Sequence, residues 1–284
     1  MELSVFLHHV LQAAREQGWT VRRALAYVRD LGISRVEIDA DGLPDAEAMR
    51  RALDETGLGV SNVCGMFDWR SGPDEQKESR LLRAAETLGS PFVMPIPGFY
   101  SQPHAVGSAR EAEENARFVQ GMARLAAEAE KRGLRAVMED YDNALSPIAT
   151  IEGMRRFLDA VPGLAVALDT GNFLFSGEDV LAARQTFAGR IAHVHLKDRL
   201  LTRPHGMPEE NALRAVTGAL LWPCAVGDGD LPIRQVISEL KAAGYTGCLT
   251  IEHFGVLRWA DAIRRSAENV KRMLAESAGR TGDG

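Results

Sequence analysis

Cysteine is scarce in this chain. The three present, Cys64, Cys224 and Cys248, are scattered, and no CxxC pair occurs. That excludes a disulfide framework and a cysteine-built zinc site, and it points to a reducing compartment, the cytoplasm. Long apolar runs are missing too: none approaches the roughly 20 residues that a membrane span requires. The opening MELSVFLHHVLQAAREQG has no basic start ahead of an apolar segment, so no signal peptide is expected. Positive charge is in deficit, with 33 Lys and Arg against 39 Asp and Glu and a formal net charge of −6. Such a surface repels a phosphate backbone, and nucleic acid is not an expected partner. No glycine-rich phosphate turn follows the first apolar run, where HHVLQAAREQG stands. A doubly wound nucleotide-binding sheet would normally carry one.

What the sequence does have is a repeated unit. Seven times an amphipathic stretch ends at a glycine and a short apolar run follows: Gly32 before ISRVEI, Gly57 before LGVSNV, Gly89 before SPFVMPI, Gly133 before LRAVME, Gly163 before LAVALD, Gly189 before RIAHVHL and Gly244 before YTGCLTIE. A glycine past a helix end takes the left-handed conformation that closes it. Runs such as LAVALD lack polar alternation, which suits strands covered on both faces. A further strand near Leu3–Leu7 makes eight. Eight helices are expected near 20–31, 44–56, 73–88, 108–132, 150–161, 177–188, 232–243 and 257–276, with Ser108, Thr150 and Pro232 at starting positions. In the fourth, Ala112, Ala116, Val119, Met122, Ala123 and Ala126 recur at helical spacing and mark the expected buried face. Eight β-then-α units predict an α/β fold of the (β/α)8, or TIM, barrel type: a single domain over 1–276 with a polar tail over 277–284. The one oversized connection, Lys197 to Leu231, is long enough to expect a function or motion of its own.

In such barrels chemistry sits where the strands end. Strand five ends in Met138-Glu139-Asp140, strand six in Leu168-Asp169-Thr170-Gly171-Asn172, strand seven in His193-Val194-His195-Leu196-Lys197-Asp198, and the last in Ile251-Glu252-His253. Converging carboxylates repel one another, and burying them unpaired is costly. A divalent cation resolves both problems, with Glu139, Asp169, His195 and Glu252 as ligands. These lie 30, 26 and 57 residues apart, so only the barrel can unite them. Three carboxylates and one imidazole favour Mn²⁺, with Mg²⁺, Co²⁺ and Zn²⁺ as alternatives. His193 shares strand parity with His195 and is read as a core or supporting histidine. Together with Asn172, Lys197 and Trp69 it completes the candidates for substrate contact; Phe67, Phe99, Tyr100 and Phe254 are further candidates for the pocket wall.

The segments VMED, LDTGN, HVHLKD, AVGDGDLP and TIEH, in this order, resemble the xylose isomerase-like sugar phosphate isomerase/epimerase superfamily. It includes ketose 3-epimerases, hydroxypyruvate isomerases, inosose dehydratases and endonuclease IV. The specific similarity spans about residues 133 to 255. The resemblance implies the same four metal ligands, with Glu139 and Glu252 also exchanging protons with the substrate. Two departures matter. Asn172 stands where many relatives have a histidine, and strands three and four end in Cys64-Gly65 and Met94-Pro95 without ligands, although His104 follows in the loop. Endonuclease IV needs a richer histidine set, so DNA repair is not expected.

The expected chemistry is proton abstraction beside a carbonyl, giving an enediolate, with Glu139 and Glu252 as the acid–base pair. The substrate is read as a small sugar or cyclitol without phosphate. Dehydration of the inosose or dehydroshikimate type on the same site is the enzymatic alternative; a non-catalytic sugar-binding barrel is the other. The resemblance implies a homodimer or homotetramer. Leu220-Leu221-Trp222 in the long connection is read as an interface patch or a lid.

Overall fold

The computed structural model describes residues 1–104 and 107–279, the side chains of the last three apart. Strands β1 (Glu2–Phe6), β2 (Arg35–Asp39), β3 (Gly59–Met66), β4 (Phe92–Ile96), β5 (Arg135–Met138), β6 (Ala165–Asp169) and β7 (Ile191–Lys197) run parallel in chain order. After three short strands, β8 (Arg199–Leu200), β9 (Leu213–Arg214) and β10 (Leu220–Pro223), the strand β11 (Cys248–Glu252) pairs with both β7 and β1 and closes the barrel. This is the (β/α)8 barrel expected from the repeat, formed as one domain. No helix among the described residues is long and apolar enough to cross a membrane.

The helices are α1 (Leu7–Gln17), α2 (Val21–Asp30), α3 (Ala46–Thr56), α4 (Glu75–Leu88), α5 (Ala109–Lys131), α6 (Ile151–Ala160), α7 (Val180–Thr186), α8 (Ile233–Ala242) and α9 (Trp259–Gly279). Eight correspond to the expected stretches; α1 is additional. It begins directly at the end of β1, buries Leu7, Val10, Ala13 and Ala14, and packs between α2 and α9. Helix α9 runs to Gly279, into the stretch expected as a tail, and residues 280–284 lie outside the described residues.

Local rules account for most boundaries. Ser108 and Thr150 cap α5 and α6, accepting from the amides of Glu111 and Gly153. Gly32, Gly57, Gly89, Gly133 and Gly244 take the expected left-handed conformation, with φ from 66° to 79°. Gly163 and Gly189 do not: α6 and α7 close at Val161 and Phe187 instead. The buried face of α5 also differs from expectation. Phe118, Met122, Leu125, Ala126 and Ala129 form it, while Ala112 and Ala116 are exposed. The larger side chains remove more apolar surface from water and turn the helix towards themselves.

Most barrel strands serve two cores. Val166 and Leu168 on β6, Val194 and Leu196 on β7, and Leu249 and Ile251 on β11 face outward into the large core under the helices. A smaller inner core holds Phe6, Cys64, Met94, Val137, Ala165 and Ala167. Alternation therefore assigns Asp169, His195 and Glu252 to the inside. Glu139, two residues beyond Val137, continues the same inward parity.

Candidate metal centre and active site

Register brings the strand ends level. Asp169 pairs with His195 across β6 and β7, and Glu252 pairs with Lys197 across β11 and β7. Ligand atoms of Glu139, Asp169, His195 and Glu252 all lie within 4.8 Å of one another. His195 Nδ1 is 3.0 Å from Glu139 Oε2 and 3.3 Å from Glu252 Oε2. All four residues are buried. Asp169 Oδ2, His195 Nδ1 and Glu252 Oε2 make no hydrogen bond of good geometry. Buried polar atoms are rarely left so. Orphaned donor atoms converging from separate strands, three of the residues anionic, fit a divalent cation.

The remaining polar atoms of these residues are held in place. Asp169 Oδ1 accepts from the amides of Gly171 (2.7 Å) and Asn172 (2.6 Å). Asn172 Nδ2 donates to Glu139 Oε1 (2.8 Å) and to the Asp140 carbonyl (2.7 Å). Lys197 Nζ donates to Asn172 Oδ1 at 2.7 Å and lies 2.5 Å from Glu252 Oε1. On the far side of the imidazole, His195 Nε2 contacts both oxygens of Glu37 at 3.0 Å.

Charge follows from this packing. Burial raises the Glu139 carboxyl to about 7, with Glu252 adding to the push and His195 opposing it. Burial likewise lifts Asp169 to about 6 against the pull of Lys197. At Glu252 burial also pushes upward, but Lys197 and His195 outweigh it and hold the group at about 2. Burial disfavours the charged form of His195, yet Glu37 and Glu139 raise it well above its ordinary value. A bound cation competes with that proton. Asp140, beside Glu139, is buried with both carboxylate oxygens unpartnered; burial, then Asp169 and Glu139, raise it well above the carboxylate range.

Glu139, Asn172, Lys197 and Glu252 open onto a cavity of about 300 Å³. Phe6, Cys64 and Met94 contribute to its apolar lining, and His8, Asp39, Tyr141, Asp142 and Phe254 are its further polar and aromatic parts. Burial raises the Cys64 thiol well above its ordinary value, which disfavours the reactive thiolate. Two residues expected at the substrate lie elsewhere. Trp69 is buried under α5, stacked on Phe67 and donating from Nε1 to Glu78 (3.0 Å). Its apolar ring area is worth more in the helix–barrel core than at a wet cavity, and Glu78 satisfies its one donor. His193 lies deeper in the barrel, on Glu37 Oε2 (2.8 Å), in the supporting position that strand parity suggested rather than at the cavity. Of the other aromatics, Phe254 lines the cavity, whereas Tyr100 donates to Asn115. His104 is paired with Glu114 and is not part of the ligand cluster.

Sequence reasoning missed Glu37, Asp39 and His8. The signal was present in β2, where Val36 and Ile38 face the outer core and Glu37 and Asp39 the inside. The long connection after β7 is an ordered structure: β10 pairs antiparallel with β8 and β9. Asp198 anchors it, its carboxylate accepting from the amides of Arg199, Gly227, Gly229 and Leu231. Leu221 and Trp222 are buried in β10 and form no exposed patch. A larger depression of about 640 Å³ lies at the opposite mouth of the barrel. Its Arg35 and Arg132 are already paired with Glu2 and with Glu86 and Glu128, and it holds none of the converging acids.

Comparison with known proteins agrees with the barrel fold. The chain is 34% identical over 139 residues to the inosose dehydratase of Geobacillus thermodenitrificans (strain NG80-2), a match covering 47% of this chain and 45% of that protein. It is 24% identical over 224 residues to the inosose dehydratase of Clostridium perfringens (strain 13 / Type A), covering 73% of each. Among solved structures, an L-ribulose 3-epimerase superimposes with a TM-score of 0.73 at 17% identity, covering 99% of this chain and 97% of that one. The IOLI protein with a binding zinc atom superimposes with a TM-score of 0.68 at 15% identity over the full length of both chains. Residues 25–273 match the family model of the xylose isomerase-like TIM barrel, and the chain belongs to that family.

Proposed function

We propose that this protein is a metal-dependent isomerase or epimerase that removes a proton beside the carbonyl of a small, uncharged keto-sugar or cyclitol. The observation that carries the reading is the paired placement of Glu139 and Glu252: both line the cavity, and both approach His195 Nδ1. The bound divalent cation would be held by Glu139, Asp169, His195 and Glu252 and supplies Lewis acidity towards the carbonyl and neighbouring hydroxyl oxygens. Each glutamate has one oxygen tied, Glu139 by Asn172 and Glu252 by Lys197, so its orientation is set before substrate arrives. One carboxylate takes the proton from carbon; the other, in its protonated form, returns one at the adjacent carbon or the opposite face. Asn172 orients the acid and carries no proton itself. Lys197 adds positive charge near the developing oxyanion. Its ammonium is engaged by Glu252 and Asn172, which favours an uncharged substrate over a phosphate. A cavity of about 300 Å³ suits a monosaccharide or cyclitol. The scarce, unpaired cysteines support a cytoplasmic location.

The curated relatives favour a second outcome from the same first step. Both similar proteins described above are inosose dehydratases, and an enolate that bears a β-hydroxyl can lose it as water. Incubation with Mn²⁺ in D₂O against ketoses, ketose phosphates and inososes, followed by proton NMR, separates the outcomes. Deuterium in an unchanged skeleton supports isomerisation or epimerisation; loss of water supports dehydration. Glu139→Gln and Glu252→Gln should each lower kcat by about 10²- to 10⁴-fold. Full activity in either folded, metal-binding variant would overturn the acid–base pair.

A further inference from the structure

A second cluster, fully buried, lies beneath the ligand set and shares only His195 with it. Glu37 on β2 reaches across the barrel to two imidazoles of β7, His193 Nε2 at 2.8 Å and His195 Nε2 at 3.0 Å. Asn62 Nδ2 on β3 donates to the same carboxylate at 2.7 Å. Glu37, Asn62, His193 and His195 are all 0% exposed.

An ionised carboxylate only accepts hydrogen bonds. Asn62 can reach it only through its NH₂ group, and each histidine only through a protonated Nε2. The Nδ1 lone pair of a neutral His195 then points away from Glu37, towards Glu139 and Glu252. A bare lone pair 3.0 Å from a carboxylate oxygen is repulsive unless a proton or a cation sits between them, and the two compete for that place. The carboxylate therefore determines which nitrogen faces the ligand cluster.

The strands are shaped to make this contact. The β2–β3 register skips Ser61, matching Val36 with Val60 but Glu37 with Asn62. As a result Val60 and Val63, three residues apart, both face the outer core, and Asn62 turns inward to Glu37. The β6–β7 register breaks in the same way, matching Val166 with Ile191 but Ala167 with His193. Ile191 and Val194 both face outward, and His193 turns in. Bulges of this kind re-aim side chains beside active sites.

We infer that Glu37 is the positioning residue of the metal centre: it holds the Nε2–H form of His195 so that Nδ1 is the ligating nitrogen, with Asn62 and His193 fixing the carboxylate. This rests on the cation reading of Glu139, Asp169, His195 and Glu252. Glu37, His193 and His195 also lie close enough to be read as a second cation site of their own. Their contacts at 2.8–3.0 Å are satisfied as hydrogen bonds, which gives one cation per chain.

The test is calorimetric titration of the metal-free full chain with Zn²⁺, together with nitrogen-15 NMR of the zinc-loaded histidines. Wild type should bind one cation, with the proton of His195 on Nε2 and the metal on Nδ1. Glu37→Gln sets an amide NH₂ against the imidazole donors and should weaken binding about 10- to 100-fold. His193→Gln replaces the other imidazole by an NH₂ donor, leaves the His195 contact, and should weaken binding less than Glu37→Gln while keeping the single site. If wild type binds no zinc, the metal reading itself fails. If it binds zinc but Glu37→Gln binds equally well, or His195 ligates through Nε2, the positioning role fails. Two zinc ions in wild type falling to one in His193→Gln would make the cluster a second metal site and overturn the inference. The NMR assignment on wild type decides the matter even if Glu37→Gln does not fold.

Discussion

Asp169, Glu139 and Glu252 bring carboxylates into the buried end of the barrel, and each is answered by a named partner. Asp140 is not. Its raised pKa means that the folded chain binds a proton there which the unfolded chain, with Asp near 3.9, releases. Stability is therefore lost as pH rises above about 4. An asparagine has the shape of the neutral acid and no proton to lose. In the metal-free protein, Asp140→Asn should be more stable than wild type at pH 7 and gain little at pH 4, measured by urea denaturation at both. An equal difference at the two pH values would count against a protonated Asp140. The acids proposed as ligands stood out in the sequence because each ends an apolar run. Glu37 was only half legible: alternation sets it on the face opposite Val36 and Ile38, but a charged residue there looks the same whether that face meets solvent or the barrel interior.

Among the elements, α5 carries the clearest steric demand. Gly121 faces Trp69, and a Cβ there would overlap the indole ring. Replacing a mid-helix glycine by alanine usually gains about 1 kcal/mol. Here overpacking of about 1–3 kcal/mol opposes that gain. Gly121→Ala should lower Tm in a thermal melt; a higher Tm would mean that the helix moves off Trp69 freely. The same contact explains why Trp69 was misplaced by sequence reasoning. A tryptophan after a barrel strand suits a pocket wall, and only its neighbours, Gly121 on α5 and Glu78 on α4, place it in the core. Helix α1 escaped notice for another reason. It follows β1 with no intervening loop, and although Gly18 closes it in the left-handed conformation, α2 rather than a strand comes next, so the glycine-then-strand pattern that marked the other helices is missing.

For the molecule as a whole, the proposed centre joins β6, β7, β11 and the end of β5. The unfolded chain cannot gather ligands so far apart, so a cation binds the native state and stabilises it by mass action. Tm should rise with added Mn²⁺ or Zn²⁺, by about 2.7 kcal/mol of stability at one hundred times Kd, and return with a chelator. No shift with any divalent ion would remove the metal centre. The barrel was legible from the glycine-punctuated repeat, because helix ends and doubly covered strands follow from short-range sterics and burial. The sequence by itself determined eight β/α units and the acids that end their strands. What only the tertiary structure decided is which groups meet: Glu37 with His193 and His195 across the barrel, Asp39 and His8 at the cavity, Trp69 away from it. Those contacts depend on closure and on two register breaks, and a local pattern in one strand carries no record of the residue that faces it from another.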